Sequence, residues 1–246
     1  MSSLTKEELL FMAKACEEAE KFKDMLFYTK QLLLQTQEPN SEERNLLSNA
    51  FRLQISEKRT SWRVACSIEQ RDLAPGHPNA HLIVQLRKTI QEELKEVCYD
   101  CLNFVKNNIL KTCHTAHSRV FFHKMRGDYY RYLLEVFNGT EKSKVIDKCV
   151  AAYERAMEIA EADLVVTDPL RLGVVLNFSV FCAEILENEA RAREIALKAF
   201  NDAVEKIDEM SEEDYKHATA IMQLLRDNVA LWTVEEEKPE QVEQGN

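Results

Sequence analysis

Apolar positions recur every three to four residues along almost the whole chain, and only short polar joints interrupt them. That spacing is the signature of amphipathic helices packed on a shared core. Thr5 followed by Glu8 forms a capping box that opens a first helix, and a second apolar helix covers about 22–35, stopping before Glu38-Pro39. Asn40 and Glu43 make another capping box, from which a long third helix runs to about residue 72. Ala74-Pro75-Gly76-His77-Pro78-Asn79 is the strongest break in the sequence. Beyond it the pattern predicts helices over about 79–110, 117–137 and 141–162, the second of these ending at Asn138-Gly139. Asp168-Pro169 reads as an N-cap with proline at the first helical position, opening a helix to about 186. Two more follow over about 189–207 and 212–232, the last starting at Ser211. Short connections between nine helices suit antiparallel packing of sequence neighbours, an all-α fold.

A faint internal echo accompanies this pattern. Ala152-Tyr153-x-x-Ala156 matches Ala199-Phe200-x-x-Ala203 two helices later. Small-aromatic-small patterns occur in stacked helix hairpins such as tetratricopeptide repeats, but two copies indicate hairpin stacking and not a repeat array. The tail 233–246 is acidic and rich in Gln, so it is expected to be disordered.

Composition agrees. Five Gly and five Pro in 246 residues leave few tight turns, which disfavours an all-β fold. A formal net charge of −10 disfavours general binding to nucleic acid or to an anionic membrane, so a local basic site stands out against it. The odd count of seven cysteines and the absence of a signal-like apolar run at the start predict reduced thiols in the cytoplasm, with the nucleus as an extension. No segment is apolar enough to span a bilayer.

Such a basic site is legible. Arg52, Arg59 and Arg63 lie seven and then four apart in the third helix, so all three project from one stripe. The ordinary reading is a solvated face with Glu57 and Glu69 nearby. The alternative is an oxyanion site, because guanidinium forks bind phosphate bidentately and stay charged. In Lys124-Met125-Arg126-Gly127-Asp128-Tyr129-Tyr130-Arg131-Tyr132, Lys124 and Arg131 share a face, and Asp128 lies between them where it can orient a guanidinium. Gly127 costs about 1 kcal/mol in mid-helix and signals close packing. Asn177 sits in the nearly all-apolar run Leu172–Phe181, and Leu224, Asn228 and Trp232 are spaced four apart on one face. Each amide is either a satisfied core group or a donor–acceptor pair aimed at a peptide backbone.

The segments EERNLLSNAFR (42–52), RTSWR (59–63), KMRGDYYRYL (124–133), RLGVVLNFSVF (171–181) and IMQLLRDN…LW (221–232) resemble, in order and in separation, the signatures of the 14-3-3 family. The similarity spans about residues 4–232. The resemblance implies a nine-helix antiparallel bundle with a concave ligand groove, forming a cup-shaped dimer. Residues 1–110 would supply dimerisation helices and the groove floor, and 111–232 the groove wall. It further implies that Arg52, Arg59, Arg131 and Tyr132 hold a phosphate, with Arg63, Lys124, Asp128 and Glu184 as supporting charges. Asn177 and Asn228 would bond the ligand main chain, and Gly173, Leu176, Val180, Leu224, Leu231 and Trp232 would form an apolar wall. The implied partners are proteins bearing phosphoserine or phosphothreonine, met by a homodimer or by heterodimers with related subunits. No cofactor, metal, nucleic acid or membrane is implied, and no enzymatic reaction.

Several positions depart from the family pattern. Arg52 stands where Lys is usual, and Phe181-Cys182-Ala183 replaces a more aromatic segment. Tyr215-Lys216-His217-Ala218 also departs from it. At the expected dimer interface Lys21 and Glu93 keep one intersubunit ion pair, whereas Asp24 faces Thr89 in place of a Lys. Ser61 is a candidate regulatory phosphorylation site beside that interface. Two competing readings are a phosphate-independent helical scaffold of tetratricopeptide type, and a metal site at Cys98-x-x-Cys101 with Cys113-His114 and His117, whose spacing matches no zinc finger.

Overall fold

The computed structural model describes residues 4–72, 77–210 and 212–236, and among these the chain is all-α, with nine α-helices and no strand. They are α1 (Lys6–Glu18), α2 (Phe22–Leu34), α3 (Ser41–Asp72), α4 (Ala80–Phe104), α5 (Ala116–Leu134), α6 (Gly139–Asp163), α7 (Pro169–Glu184), α8 (Glu189–Val204) and α9 (Glu212–Glu236). The helix starts follow from local chemistry. Thr5 and Glu8 close a reciprocal capping box on α1, and Asn40 and Glu43 do the same for α3, with both bonds at 2.9 Å. Asp168 caps α7 by accepting from the Leu170 N–H at 2.8 Å, with Pro169 at the first helical position.

Some boundaries differ from the expected ones. The helix expected to reach about residue 110 changes to a π-helical turn over Val105–Ile109. There Asn108 bonds the Phe104 carbonyl and competes with the regular ladder. The expected stop at Asn138-Gly139 is instead a start: α5 ends at Leu134, and Gly139, at φ +59°, is the first residue of α6. That left-handed conformation suits a residue without a Cβ. Helix α8 stops at Val204, and a 3-10 turn spans Ile207–Glu209. Helix α9 continues past Trp232 to Glu236. Ala74-Pro75-Gly76 of the expected break, Ser211 and residues 237–246 of the expected tail lie outside the described residues.

The chain divides into two compact units, 1–152 and 153–246, the division falling inside α6. In the first, Leu47, Phe51 and Ile55 of α3 pack among Met25, Leu32 and Leu33 of α2, Leu94 of α4 and Leu133 of α5, all at most 2% exposed. Lys30 reaches into this region, pairing with Asp100 at 2.5 Å while its ammonium lies 5.2 Å from the ring centres of both Phe51 and Phe104. In the second unit Tyr153 is fully buried and stacks on Phe178 at 5.6 Å, with Phe181 at 5.8 Å. Ala192, Ala196 and Ala203 are fully buried along α8, where small side chains let a neighbouring helix approach closely. The Ala152-Tyr153-Ala156 half of the internal echo is thus core, and its counterpart Ala199-Phe200-Ala203 is half-buried except for Ala203.

All seven cysteines are free, and all but Cys66 are buried. Burial pushes the thiols of Cys98 and Cys101 well up and that of Cys113 up to about 11. Among the described residues no group of three His, Cys, Asp or Glu side chains is placed to hold a metal ion. No helix among them is long and apolar enough to cross a membrane.

One polar joint sets the relation of α3 to α5. Glu38, in the connection before α3, accepts from the His114 N–H at 2.6 Å, the Thr115 N–H at 3.3 Å and the Thr115 hydroxyl at 2.7 Å. Thr115 in turn caps α5. Arg44, one turn into α3, donates to the Pro39 carbonyl at 3.0 Å and to the buried Ser118 hydroxyl of α5 at 3.2 Å. Burial alone would raise the Glu38 carboxyl, but the bonds from His114, Ser118 and Thr115 outweigh it and hold the group at about 2, against an ordinary 4.5. A depressed carboxyl stabilises the fold above its unfolded-state value and loses that contribution as pH falls toward the folded one. Glu38→Gln is therefore expected to lower stability by about 1 kcal/mol at pH 7, a figure kept small by solvent screening. In urea titrations the gap from the parent should close as pH falls from 4.5 toward 2.

Candidate functional site

The basic stripe of α3 meets the end of α5 in the first unit. Glu135, the C-cap residue of α5, collects both nearby guanidiniums on one carboxylate oxygen. Arg59 donates to Oε1 through Nε at 2.9 Å and also through Nη2, while Arg63 donates from Nη2 at 3.1 Å. The side chains of Arg59 and Glu135 are only 20% and 19% exposed, so this pair is largely removed from water, whereas Arg63 at 60% stands outside it. Oε2 of Glu135 is buried without a hydrogen-bond partner.

Tyr132 is the second point of convergence. The Arg59 guanidinium lies 4.1 Å and that of Arg131 5.3 Å from its ring centre. The ring also makes an edge contact with Tyr129, which meets Phe51 the same way. A path of aromatic contacts therefore ties the cationic cluster to the core of the unit. Burial pushes the Tyr132 hydroxyl up, Asp128 adds to that, and Arg131 and Arg59 oppose it, so the phenol remains a neutral donor at physiological pH. Lys124 pairs with Asp128 at 2.9 Å one turn apart on α5. The structure thus brings Arg59, Arg63, Arg131 and Tyr132 together. Three guanidiniums with one carboxylate leave the cluster net positive in a chain whose overall charge is −10.

Arg52 is placed differently. It is exposed, and its Nη2 bonds the Asn49 side-chain carbonyl one turn back on α3. It lines a cavity of about 770 Å³ with Asn49, Asn45, Ser48 and the α1 residues Lys14 and Glu17. Lys14 and Glu42 are ion-paired across it.

The expected interface residues gather elsewhere in the same unit. Lys21 and Asp24 are exposed and line a cavity of about 430 Å³ with Phe22, Gln54, Glu57 and Lys58. Glu93 is held within the chain by Lys58 at 2.6 Å, and that bond raises the Lys58 ammonium above its ordinary value. Ser61 is half-buried on α3.

In the second unit Asn177 of α7 and Asn228 of α9 are each half-buried. Gly173, Leu176 and Val180 are half-buried on α7, and Glu184 is its exposed last residue. Leu224 and Leu231 of α9 are 52% and 57% exposed, large apolar side chains left open to solvent, whereas Trp232 is buried.

Glu135, Asn49 and Lys58 are the residues that sequence reasoning passed over. Glu135 was detectable, because an acid at a helix C-terminus opposes the helix dipole and calls for a nearby cation. The clustered Arg59 and Arg63 likewise needed a counter-charge.

The family model described as 14-3-3 protein matches residues 12–233. The chain is 44% identical over 230 residues to 14-3-3 protein 3 of Entamoeba histolytica, covering 93% of this chain and 96% of that one. It is 42% identical over 238 residues to the checkpoint signal transducer rad24 of Schizosaccharomyces pombe, covering 96% and 88%. To 14-3-3-like protein A of Glycine max it is 42% identical over 236 residues, covering 95% and 92%. A family model that matches most of the chain, and relatives similar over nearly all of it, show that the chain belongs to the 14-3-3 family of phosphopeptide-binding adaptor proteins.

Proposed function

We propose that this chain is a phosphoserine- and phosphothreonine-dependent adaptor, not an enzyme, and that Arg59, Arg131 and Tyr132, aided by Arg52, receive the phosphate. The observation that carries the reading is the convergence of the Arg59 and Arg131 guanidiniums on the Tyr132 ring, with Arg63 joined through Glu135. A phosphoryl group carries about −1.5 to −2 charges at neutral pH, which matches a net-positive cluster far better than an unmodified hydroxyl does. Tyr132 adds a neutral donor, and Lys124 a flanking cation one turn before Asp128. Asn177 and Asn228 bond the main chain of the ligand, and Leu176, Val180, Leu224 and Leu231 meet its side chains beside Gly173. Trp232, being buried, supports that wall from behind. Main-chain bonds tolerate many sequences, so the phosphate supplies most of the discrimination. The working form is a homodimer, or a heterodimer with a related subunit, in the cytoplasm and nucleus. The exposed Val64 of α3 and Leu82 and Leu86 of α4 support an apolar contact with a second copy.

Titration calorimetry of one peptide with and without its phosphate tests the central claim. Binding is expected only with the phosphate, and Arg59→Ala should weaken it by about 2–5 kcal/mol, a loss of at least thirtyfold. Equal affinity for both peptides would return the phosphate-independent scaffold reading.

Glu135 separates stability from binding. Glu135→Gln removes the carboxylate that keeps the guanidiniums together, so the fold should lose about 1–3 kcal/mol. Phosphopeptide affinity should rise, because the anionic competitor for Arg59 is gone. A variant that is less stable and also binds more weakly would show that Glu135 orders the arginines more than it competes for them.

Sedimentation at micromolar protein is expected to show a species of twice 28.5 kDa. Leu86→Lys should shift it toward the single chain, since it places a charge in an apolar contact. A parent protein found only at 28.5 kDa would exclude the dimer.

A further inference from the structure

The cationic stripe of α3 is divided, and the division has a physical cause. Arg59 and Arg63 are turned to Glu135. Arg52 is turned to a different acceptor, its guanidinium bonded to the Asn49 amide oxygen one turn back on the helix. Asn49 cannot easily yield, because its own amide nitrogen donates to Glu17 on α1. The three groups make a chain in which carboxylate, amide and guanidinium polarise one another, and each bond strengthens the next. Asn49 is half-buried and Arg52 exposed, so the tether is anchored at its inner end and free at its outer one. At about 1.5 Å per residue, the anchor lies about 15 Å along the helix axis from Arg59.

Resting on the adaptor reading, we propose that Asn49 is a positioning residue for phosphate binding: with Glu17 it holds Arg52 back toward α1, in the cavity beside Lys14, and so withholds one cation from the Arg59–Arg131–Tyr132 cluster. A phosphoresidue bound at that cluster gains the Arg52 fork only when the Arg52–Asn49 bond is given up. The tether thereby lowers affinity for singly phosphorylated ligands and makes Arg52 the adjustable member of the site. The bond is neutral-to-charged, so its loss is comparable to one ordinary charge-assisted contact.

The test is a double-mutant cycle on phosphopeptide affinity in the full chain. Asn49→Ala is expected to tighten binding about fivefold, the equivalent of roughly 1 kcal/mol. Glu17→Gln should act in the same direction by a smaller factor. The same Asn49→Ala change in an Arg52→Ala background is expected to have no effect, because its action passes through Arg52. A structural role for Asn49 would not show that dependence, and circular dichroism checks that each variant is folded. Unchanged or weakened binding in Asn49→Ala, or the same change with and without Arg52, would overturn the proposal. Parent protein that binds peptide equally with and without phosphate would overturn the adaptor reading itself, and with it this inference.

Discussion

The site depends on a way to hold like charges side by side in a partly dry place. Guanidiniums brought together repel, and the repulsion grows as water is removed. Glu135 resolves this for Arg59 and Arg63 with a single oxygen, and the Tyr132 ring does so for Arg59 and Arg131 with its negative face. Neither device neutralises the cluster fully. What remains is positive charge on side chains that are already ordered, so an anion bound there, as proposed, would leave little conformational entropy to lose.

That order is inherited from outside the cluster. The Glu38 and Arg44 joints fix where α5 begins against α3, and the contact of Phe51 with Tyr129 joins the two helices further along. Arg131, Tyr132 and Glu135 all lie toward the far end of α5, where a small rotation of the helix would spread the charges apart. The costly Gly127 fits the same logic. Gly127 is buried, and its carbonyl accepts from the Cys149 thiol of α6 at 3.3 Å, so a third helix closes on α5 at that point.

Helix positions were readable because each start has its own chemistry: Thr5 with Glu8, Asn40 with Glu43, and Asp168 with Pro169. Helix ends were read less well, since they depend on tertiary contacts more than on local signals. Gly139 looks like a stop and serves as a start, and the π-helical turn after Phe104 has no periodicity of its own. The arginine stripe was visible as spacing. Spacing, however, puts Arg52, Arg59 and Arg63 on one face and cannot say which way each long side chain turns. That is decided by acceptors far away in sequence, Glu135 for two of them, and by Asn49 with its anchor Glu17 for the third. An i, i+4 rule likewise shows Lys124 and Asp128 as partners but does not reveal that Glu93 is engaged by Lys58 from another helix.

In the proposed dimer, the Lys58–Glu93 contact would bear on how copies of this chain recognise one another. A second copy that presented Lys21 to Glu93 would meet a carboxylate whose Oε2 is already paired with Lys58. Lys21 would then either share the carboxylate with Lys58, as Arg59 and Arg63 share Glu135, or displace it. Choice of partner would be set by which lysine sits better and by what Lys58 finds once released. Charge at that seam would then act as a selector between similar subunits, while the adhesive strength of the contact would fall to the apolar side chains around it.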